Sequence, residues 1–560
     1  MGNKNSTSNQ QQQLQQQMHD PQMEHLQLKY LRQNYIQREA STVYIGKPQK
    51  YIPGPVEPQR KRKIDTVEKY DDDEPISVID SNDSTTKQAS AKINPDEFFN
   101  LSLKLKYDTF QINSASNTVE PLLFTLKTLS TQQQGSRAPI DLICVLDVSG
   151  SMLGSKLWLL QDTLTYLVEL LGDDDRISII EFSDSANRVT PLQRVTEINK
   201  PTIIAAIKGL FAEGGTMITE GMNRAVRVIK ERKYKNAVTS VFLLSDGQDE
   251  LKTEAIERIK KLFEANQSID NFTVHSFGYG RDHDPNLMSS IAKLKDGNFY
   301  FVQEVDTVEE CFVDAIGGLI SVVGQDVTIT IQPVKSEVFP NLEIKKAFGG
   351  SDLWKEMNGT YSTGISQLPS GKSKNYILEL LIPKCTKTLT DQQKEVVIAK
   401  ALVTIKIPNS SEVWKKECEL KIKLVNEDEE LPQQQIADKD LFSNYYRVRS
   451  AEIMMEAKKL AEKADYEGGR KILQNFKEEL SKSAVKDEPM VKGLLDDIET
   501  TIKEMQPKVY EEVGQHRLAQ QVISHMEEKS NPCSANSANL YSNCVQQEMV
   551  TKVRSKKSQF

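Results

Sequence analysis

The sequence predicts an α/β doubly wound domain that is inserted in or followed by an antiparallel β-sandwich, with an α-helical region at the C-terminal end. Apolar runs of strand length alternate with helical segments over residues 139–322, which is typical of parallel βαβ units. Over residues 325–428 the helical segments give way to strands of alternating polarity, separated by Gly- and Asn-containing turns. Residues 437–528 are rich in charge and place apolar side chains at helical spacing, which predicts the helical region.

The N-terminal segment, residues 1–93, is predicted to be disordered because it contains a glutamine tract and a Pro-rich stretch. It begins MGNKNS, which fits the pattern for N-myristoylation at Gly2; a polar start that carries this glycine by chance is the alternative. A single myristoyl chain supports reversible membrane association, to which the basic cluster Arg60–Lys63 can add electrostatic attraction. That cluster can equally be a nuclear localisation signal or a solvated run of charge.

Composition limits the classes of function. The net charge of −8 argues against nucleic-acid binding. The six cysteines include no C-x-x-C pair, which argues against a zinc module and against a disulfide framework. No apolar run approaches the ~18 residues of a membrane span, and no secretory signal is present. We therefore expect a cytoplasmic protein, peripheral at a membrane if Gly2 is acylated.

Two segments outside the main domains carry separate expectations. Residues 98–130 contain two strand-like runs that have no obvious partner in the α/β domain, so we expect them to pair with strands of the later β-domain. The α/β domain would then be an insertion in the β-sandwich. Residues 529–560 are rich in Ser and Asn and are predicted to form a flexible tail.

The stretch PIDLICVLDVSGSM, residues 139–152, carries the first part of a predicted metal site. It is almost continuously apolar before Asp147, where the strand ends and a polar turn with Ser149 and Ser151 begins. Open parallel sheets bind their ligands at the carboxyl ends of strands, where this turn lies. Because the three residues alternate, one carboxylate and two hydroxyls can face a common point, and Mg²⁺ takes oxygen ligands of this kind.

Two later loops add oxygen ligands at the same predicted edge of the sheet. Thr216 follows Gly214 and Gly215 after an intervening α/β segment, and Asp246 ends the buried strand VFLLSD. The predicted metal ligands are therefore Asp147, Ser149, Ser151, Thr216 and Asp246. The cation expected there is Mg²⁺ or Mn²⁺.

Each of these ligands has a purely structural alternative. Ser149 and Ser151 can cap the helix that begins near Ser155. Thr216 can cap its own helix, and Asp246 can form a turn with the glycine after it. Capping alone does not explain why all five residues fall on successive strand-to-helix loops, so the metal site is the preferred interpretation.

Four other polar residues near these loops receive structural interpretations. Asp184 and Asp249 are predicted to be solvated acidic neighbours of the site. His275 and His283 have no metal-ligand spacing with cysteine and are predicted to be structural.

The motifs LDVSGSM, GGT and LLSDGQD resemble the metal-ion-dependent adhesion site of the von Willebrand factor type A domain, over about residues 139–322. With the β-rich segment and the helical region after it, the chain is similar to plant von Willebrand A proteins that carry an N-terminal RING finger and are E3 ubiquitin ligases. Residues 1–143 contain no cysteine, so no RING zinc site can form there, and ligase activity is not carried over. The resemblance implies that an Asp or Glu of a protein partner completes the metal shell.

The leading functional hypothesis is a metal-dependent protein–protein interaction module or scaffold without enzymatic activity. A metal-assisted hydrolase needs a base beside the metal-bound water, and only Glu213 and Glu220 flank the second loop. Glu220 is predicted to face outward on a helix. Two other hypotheses stay open: a non-RING adaptor in the ubiquitin pathway, and a structural component that assembles through its helical region, residues 441–528.

Overall fold

The computed structural model describes residues 95–111, 117–130, 137–246, 248–303, 305–384, 394–410, 412–426, 438–532 and 540–558. The predictions for residues 1–93, which include Gly2 and Arg60–Lys63, lie outside the described residues. The described residues all belong to one compact unit of the chain.

Three strands precede the α/β domain: β1 (Phe99–Leu105), β2 (Thr109–Gln111) and β3 (Thr118–Thr128). β1 and β3 pair antiparallel, with Leu103 opposite Phe124. Both of these side chains are buried, as the alternation of apolar residues along a half-buried strand requires. None of the three strands joins the sheet of the α/β domain.

The α/β domain is a seven-stranded sheet with helices between its strands. Its elements are β4 (Ile140–Asp147), α1 (Ser155–Leu170), β5 (Arg176–Phe182), β6 (Ala186–Arg188), β7 (Gln193–Arg194), α2 (Lys200–Lys208), α3 (Ile218–Glu231), β8 (Val238–Ser245), α4 (Thr253–Ala265), β9 (Thr273–Tyr279), α5 (Pro285–Lys293), β10 (Phe299–Val302) and α6 (Val305–Ile320). The strand order is β10-β9-β8-β4-β5-β6, and all neighbours pair parallel except β6, while β7 adds a second antiparallel edge to β5. The predicted α/β architecture is confirmed.

The central strands are buried on both faces of this sheet. Every residue of β4 and of β8 is buried, because helices cover each side. Leu160 of α1 shares one buried cluster with Cys144, and Met222 of α3 shares another with Val145. A Cβ at Gly221 of α3 would lie 2.7 Å from Val145 Cγ1, so the glycine lets α3 approach the central strand closely.

Two mostly antiparallel sheets contain the remaining strands. These strands are β11 (Val322–Pro333), β12 (Glu343–Ala347), β13 (Lys355–Met357), β14 (Thr360–Pro369), β15 (Ser373–Ile382), β16 (Glu395–Lys406) and β17 (Val413–Val425). One sheet has the order β1-β3-β15-β12 and the other the order β13-β14-β11-β16-β17-β2. Phe124 of the first sheet shares a buried cluster with Ile329 and Val403 of the second. Because β3 pairs antiparallel with β15, the α/β domain lies in the chain between two paired strands.

The described part of the chain after β17 is mostly helical: besides a short helix over Pro507–Val509 and a π-helical turn over Tyr510–Gly514, it contains five longer helices. They are α7 (Lys439–Ala461), α8 (Tyr466–Ser481), α9 (Pro489–Glu504), α10 (Gln515–Glu527) and α11 (Cys544–Ser558). Met454, Leu473 and Leu494, from the first three of these helices, share one buried cluster, so the predicted helical region is confirmed. Within the described residues, no helix has both the length and the apolar character needed to cross a membrane.

The tail over residues 529–560, predicted to be flexible, differs from that expectation in its described part. α11 packs against α6, and Val553 shares a buried cluster with Val313. Asn543 Nδ2 donates to Ser321 Oγ at 2.8 Å. The Ser- and Asn-rich composition does not indicate this packing, because polar side chains, as well as apolar ones, hold the segment in place.

Candidate metal centre

The three predicted metal-binding loops lie at the carboxyl edge of the sheet and are joined by backbone hydrogen bonds. Gly150 N in the first loop donates to Gly214 O in the second at 2.9 Å. Glu250 N in the third loop donates to Thr216 O in the second at 3.1 Å. These bonds bring together side chains that are far apart in the sequence.

The first loop arranges one carboxylate and two hydroxyls. Asp147 is fully buried; its Oδ1 accepts a hydrogen bond from Ser149 N at 2.9 Å, and its Oδ2 accepts one from Ser245 Oγ. The hydroxyl oxygens of Ser149 and Ser151 lie 2.9 Å apart. Neither serine caps α1, whose N-cap is Gly154 without a side-chain hydrogen bond. Capping therefore does not explain these serines.

The second and third loops supply Thr216 and Asp246, both buried. Thr216 does not cap α3, because Asp249 Oδ2 accepts the N–H of Ile218 at the start of that helix, at 2.6 Å. The prediction that Asp249 is solvated is thus wrong: this residue is 4% exposed and binds the helix start. Asp246 Oδ1 is buried and has no hydrogen-bond partner among the described residues, which is costly for a carboxylate oxygen.

The two carboxylates of the site affect each other electrostatically. Burial and, after it, the negative charge of Asp246 raise the pKa of Asp147 to about 6, although hydrogen bonds from Ser149 and Ser245 act in the opposite direction. Since this pKa lies above the ordinary value, the ionised Asp147 destabilises the metal-free fold at neutral pH. A divalent cation held by Asp147 and Asp246 would offset that cost.

The donor set fits a hard divalent cation. In the described parts of the chain, no group of three or more His, Cys, Asp or Glu side chains is arranged to hold a metal, so a cation here would need the hydroxyls as well as the carboxylates. Hydroxyl, carboxylate and water oxygens are the ligands that Mg²⁺ accepts. Gly150 and Ser151 are exposed, so an outside ligand can reach this point from solvent.

Lys156, which the motif pattern did not single out, contacts the site. Its Nζ donates to Asp246 Oδ2 at 3.0 Å; its side chain is 25% exposed, whereas that of Asp246 is fully buried. The available sequence signal was a lysine in the first turn of the helix that follows the Asp147 loop. The ammonium group neutralises one of the two carboxylates in the absence of a metal.

Replacing Lys156 with glutamine is expected to tighten Mg²⁺ binding by about tenfold, because the ammonium group and the cation attract the same Asp246 carboxylate. Isothermal titration calorimetry with the full chain measures this affinity. Lys261→Gln, which removes an exposed lysine of α4, is the matched control and should bind Mg²⁺ like the wild type. Weaker binding by Lys156→Gln would mean that the lysine supports the metal site instead of competing for it.

The two histidines predicted to be structural contact other protein groups. His275 Nδ1 accepts a hydrogen bond from Asn298 N at 3.2 Å. His283 Nδ1 lies 2.8 Å from Gly280 O, and its Nε2 lies 3.2 Å from His516 Nδ1 on α10. The second contact joins the helical region to the α/β domain.

Comparisons with known proteins agree with this fold. The sequence profile of the von Willebrand factor type A domain matches residues 141–313. The E3 ubiquitin-protein ligase WAV3 of Arabidopsis thaliana is 30% identical over 254 residues, which is 44% of this chain and 31% of the ligase. The chain thus spans about a third or less of the length of the plant ligases that it matches.

Two solved structures share the fold over a longer part of the chain. The von Willebrand factor type A protein from Catenulispora acidiphila has a TM-score of 0.56 at 16% identity and covers 77% of this chain and 97% of its own. The ArnB paralog VWA2 from Sulfolobus acidocaldarius has a TM-score of 0.51 at 17% identity and covers 77% and 99%. At these identities the likeness concerns the fold alone. Residues 141–313 of this chain are a von Willebrand factor type A domain.

Proposed function

We propose that the chain is a Mg²⁺- or Mn²⁺-dependent protein–protein interaction module, which binds an Asp or Glu side chain of a partner protein through the metal. The observation that carries the proposal is the buried Asp246 Oδ1, which has no hydrogen-bond partner among the described residues and lies beside the buried Asp147, whose raised pKa a bound cation would lower. The hydroxyls of Ser149, Ser151 and Thr216 complete the proposed ligand set.

The charge of the proposed ligands supports binding of an outside carboxylate. Asp147 and Asp246 together balance a divalent cation, and the three hydroxyls add no further charge. A metal that is no more than neutralised by its protein ligands still attracts an anionic ligand at an open position. Ser151 is exposed, so a metal held there would be accessible to a partner carboxylate.

The same geometry supports binding in preference to catalysis. A metal-assisted hydrolase needs a positioned base, and Glu220 is exposed on α3, as predicted. Glu213 is exposed as well, and its backbone N–H donates to Val148 O at 2.8 Å. Ligase activity belongs to the plant relatives, of which this chain covers only a part, and is not proposed for it.

Asp147→Ala is expected to abolish partner capture in Mg²⁺, because it removes a buried carboxylate ligand of the proposed metal. The measurement is affinity capture from a cell extract by the full chain, in Mg²⁺ and in excess EDTA, with quantitative mass spectrometry. Asp173→Ala, which removes an exposed carboxylate at the opposite edge of the same sheet, is the matched control and should capture partners like the wild type. Circular dichroism checks that both variants fold. Capture that persists undiminished in EDTA would refute the metal-dependent mode.

A further inference from the structure

Two large apolar side chains are exposed beside the proposed metal site. Leu153 in the first loop is 64% exposed, and Phe211, which precedes the second loop, is 61% exposed. The other strongly exposed large apolar residues of the described chain lie on other elements; they are Val119, Leu129, Ile198, Met357, Val413 and Val509. Exposed apolar side chains next to a binding site are typical of an interaction surface.

The backbone holds both of these side chains at the edge of the site. Leu153 follows Ser151 by two residues, and its N–H donates to Gly150 O at 3.2 Å. Phe211 follows Leu210, whose carbonyl oxygen accepts a hydrogen bond from Gln161 Nε2 of α1 at 3.1 Å. Both apolar side chains thus extend from anchored backbone, and they adjoin the loops that carry the proposed metal ligands.

A pair of carboxylates lies on the same edge of the sheet. Asp184 Oδ1 accepts a hydrogen bond from Gly215 N at 2.8 Å, and the residue is exposed, as predicted. A Cβ at Gly215 would lie 2.6 Å from this oxygen and 2.1 Å from Glu250 Oε1, so the two carboxylates meet at this glycine. In the structure as described, no lysine or arginine forms an ion pair with either of them. This part of the edge therefore carries negative charge that a basic partner residue would balance.

We infer that the proposed metal site recognises a particular kind of protein segment. In this segment the Asp or Glu that binds the metal is flanked by a bulky apolar residue and by a lysine or arginine. The apolar residue would rest on Leu153 and Phe211, and the basic residue would pair with Asp184 and Glu250. This inference rests on the proposed function, because the acidic residue is positioned by the metal. It adds the chemical class of the partner segment, which the metal ligands alone do not define.

The test is selection of a phage-displayed random dodecapeptide library on the immobilised full chain in Mg²⁺, with sequencing of the bound peptides. The wild type is expected to enrich peptides that contain Asp or Glu together with a bulky apolar residue and a Lys or Arg. Leu153→Ser/Phe211→Ser should keep the acidic preference and lose the apolar one by about tenfold, since burial of an apolar side chain is worth at least that factor in affinity. Asp184→Asn/Glu250→Gln should lose only the basic preference. Met357→Ser, which removes an apolar residue that is 74% exposed in the β-domain, is the control and should select like the wild type.

Two results would overturn the inference. If the wild type and both double variants select acidic peptides equally well in Mg²⁺, without apolar or basic enrichment, the flanking residues have no role and the metal-dependent function stands. If acidic peptides are not enriched in Mg²⁺ over EDTA, the proposed function fails and the inference fails with it.

Discussion

Replacing Asp141 with alanine is expected to lower the free energy of unfolding by about 3–5 kcal/mol, the usual cost of leaving buried charges without their partner. Asp141 is fully buried near the amino end of β4. Its Oδ1 accepts a hydrogen bond from Arg176 Nε at 2.7 Å, and its Oδ2 accepts bonds from Arg176 Nη2 at 2.7 Å and Arg232 Nη1 at 2.6 Å. Arg176 is fully buried and Arg232 is 3% exposed, so the variant leaves two buried guanidinium groups without the carboxylate that they share.

Urea unfolding followed by circular dichroism measures this loss. Asp270→Ala is the matched control, because Asp270 also pairs with Arg232 but is half-exposed, and exposed ion pairs contribute about 1 kcal/mol or less. The free energy of unfolding would thus depend strongly on the Asp141 carboxylate and hardly at all on that of Asp270. If Asp141→Ala and Asp270→Ala unfold at the same urea concentration, the buried network does not have the role given to it here.

Asp246→Asn is expected to weaken the binding of Mg²⁺ or Mn²⁺ at least about 100-fold. A charge pair about 4 Å apart is worth about 4 kcal/mol near a protein surface, and asparagine keeps the shape of the side chain while removing its charge. Asp246 is fully buried, so solvent has no access to this position to compensate for the loss of the carboxylate charge. The Lys156 ammonium group would then lie close to the metal without the carboxylate that neutralises its charge.

Titration with Mn²⁺, followed by the electron paramagnetic resonance signal of the free ion, measures this change with the full chain. Asp173→Asn is the control, since this residue is exposed at the opposite edge of the sheet. Equal Mn²⁺ affinity in Asp246→Asn and in the wild type would remove Asp246 from the ligand set.

The α/β domain was predictable because its determinants are local in the sequence. A buried parallel strand is apolar along its whole length, as Ile140–Asp147 is apart from Asp141 and the final carboxylate, and the polar loop after it follows directly. Asp147, Ser149 and Ser151 can therefore be identified from the sequence as alternating polar residues directly after an apolar strand. Thr216 lies on another loop and is identified by its position after a pair of glycines, and the backbone then brings it to the first loop.

Contacts between distant segments were not predictable in the same way. Asp249 looks like a surface carboxylate in its own loop, but it binds the N–H of Ile218, which belongs to a different loop. Alternating polarity predicted strands such as Ser373–Ile382, and residues 98–130 were expected to pair with the later β-domain, but nothing local identifies Thr118–Thr128 as the partner of this particular strand. The Lys156 ion pair likewise depends on the end of a neighbouring strand.

We propose that one divalent cation is bound jointly by Asp147, Ser149, Ser151, Thr216 and Asp246. A crystal structure of the full chain grown with Mn²⁺, with anomalous diffraction measured at the manganese edge, tests it most directly. We expect one strong anomalous peak at the carboxyl edge of the central strands, within bonding distance of the Asp246 oxygen that has no hydrogen-bond partner among the described residues. An anomalous map with no peak at this edge, from crystals that hold Mn²⁺ elsewhere, would contradict it.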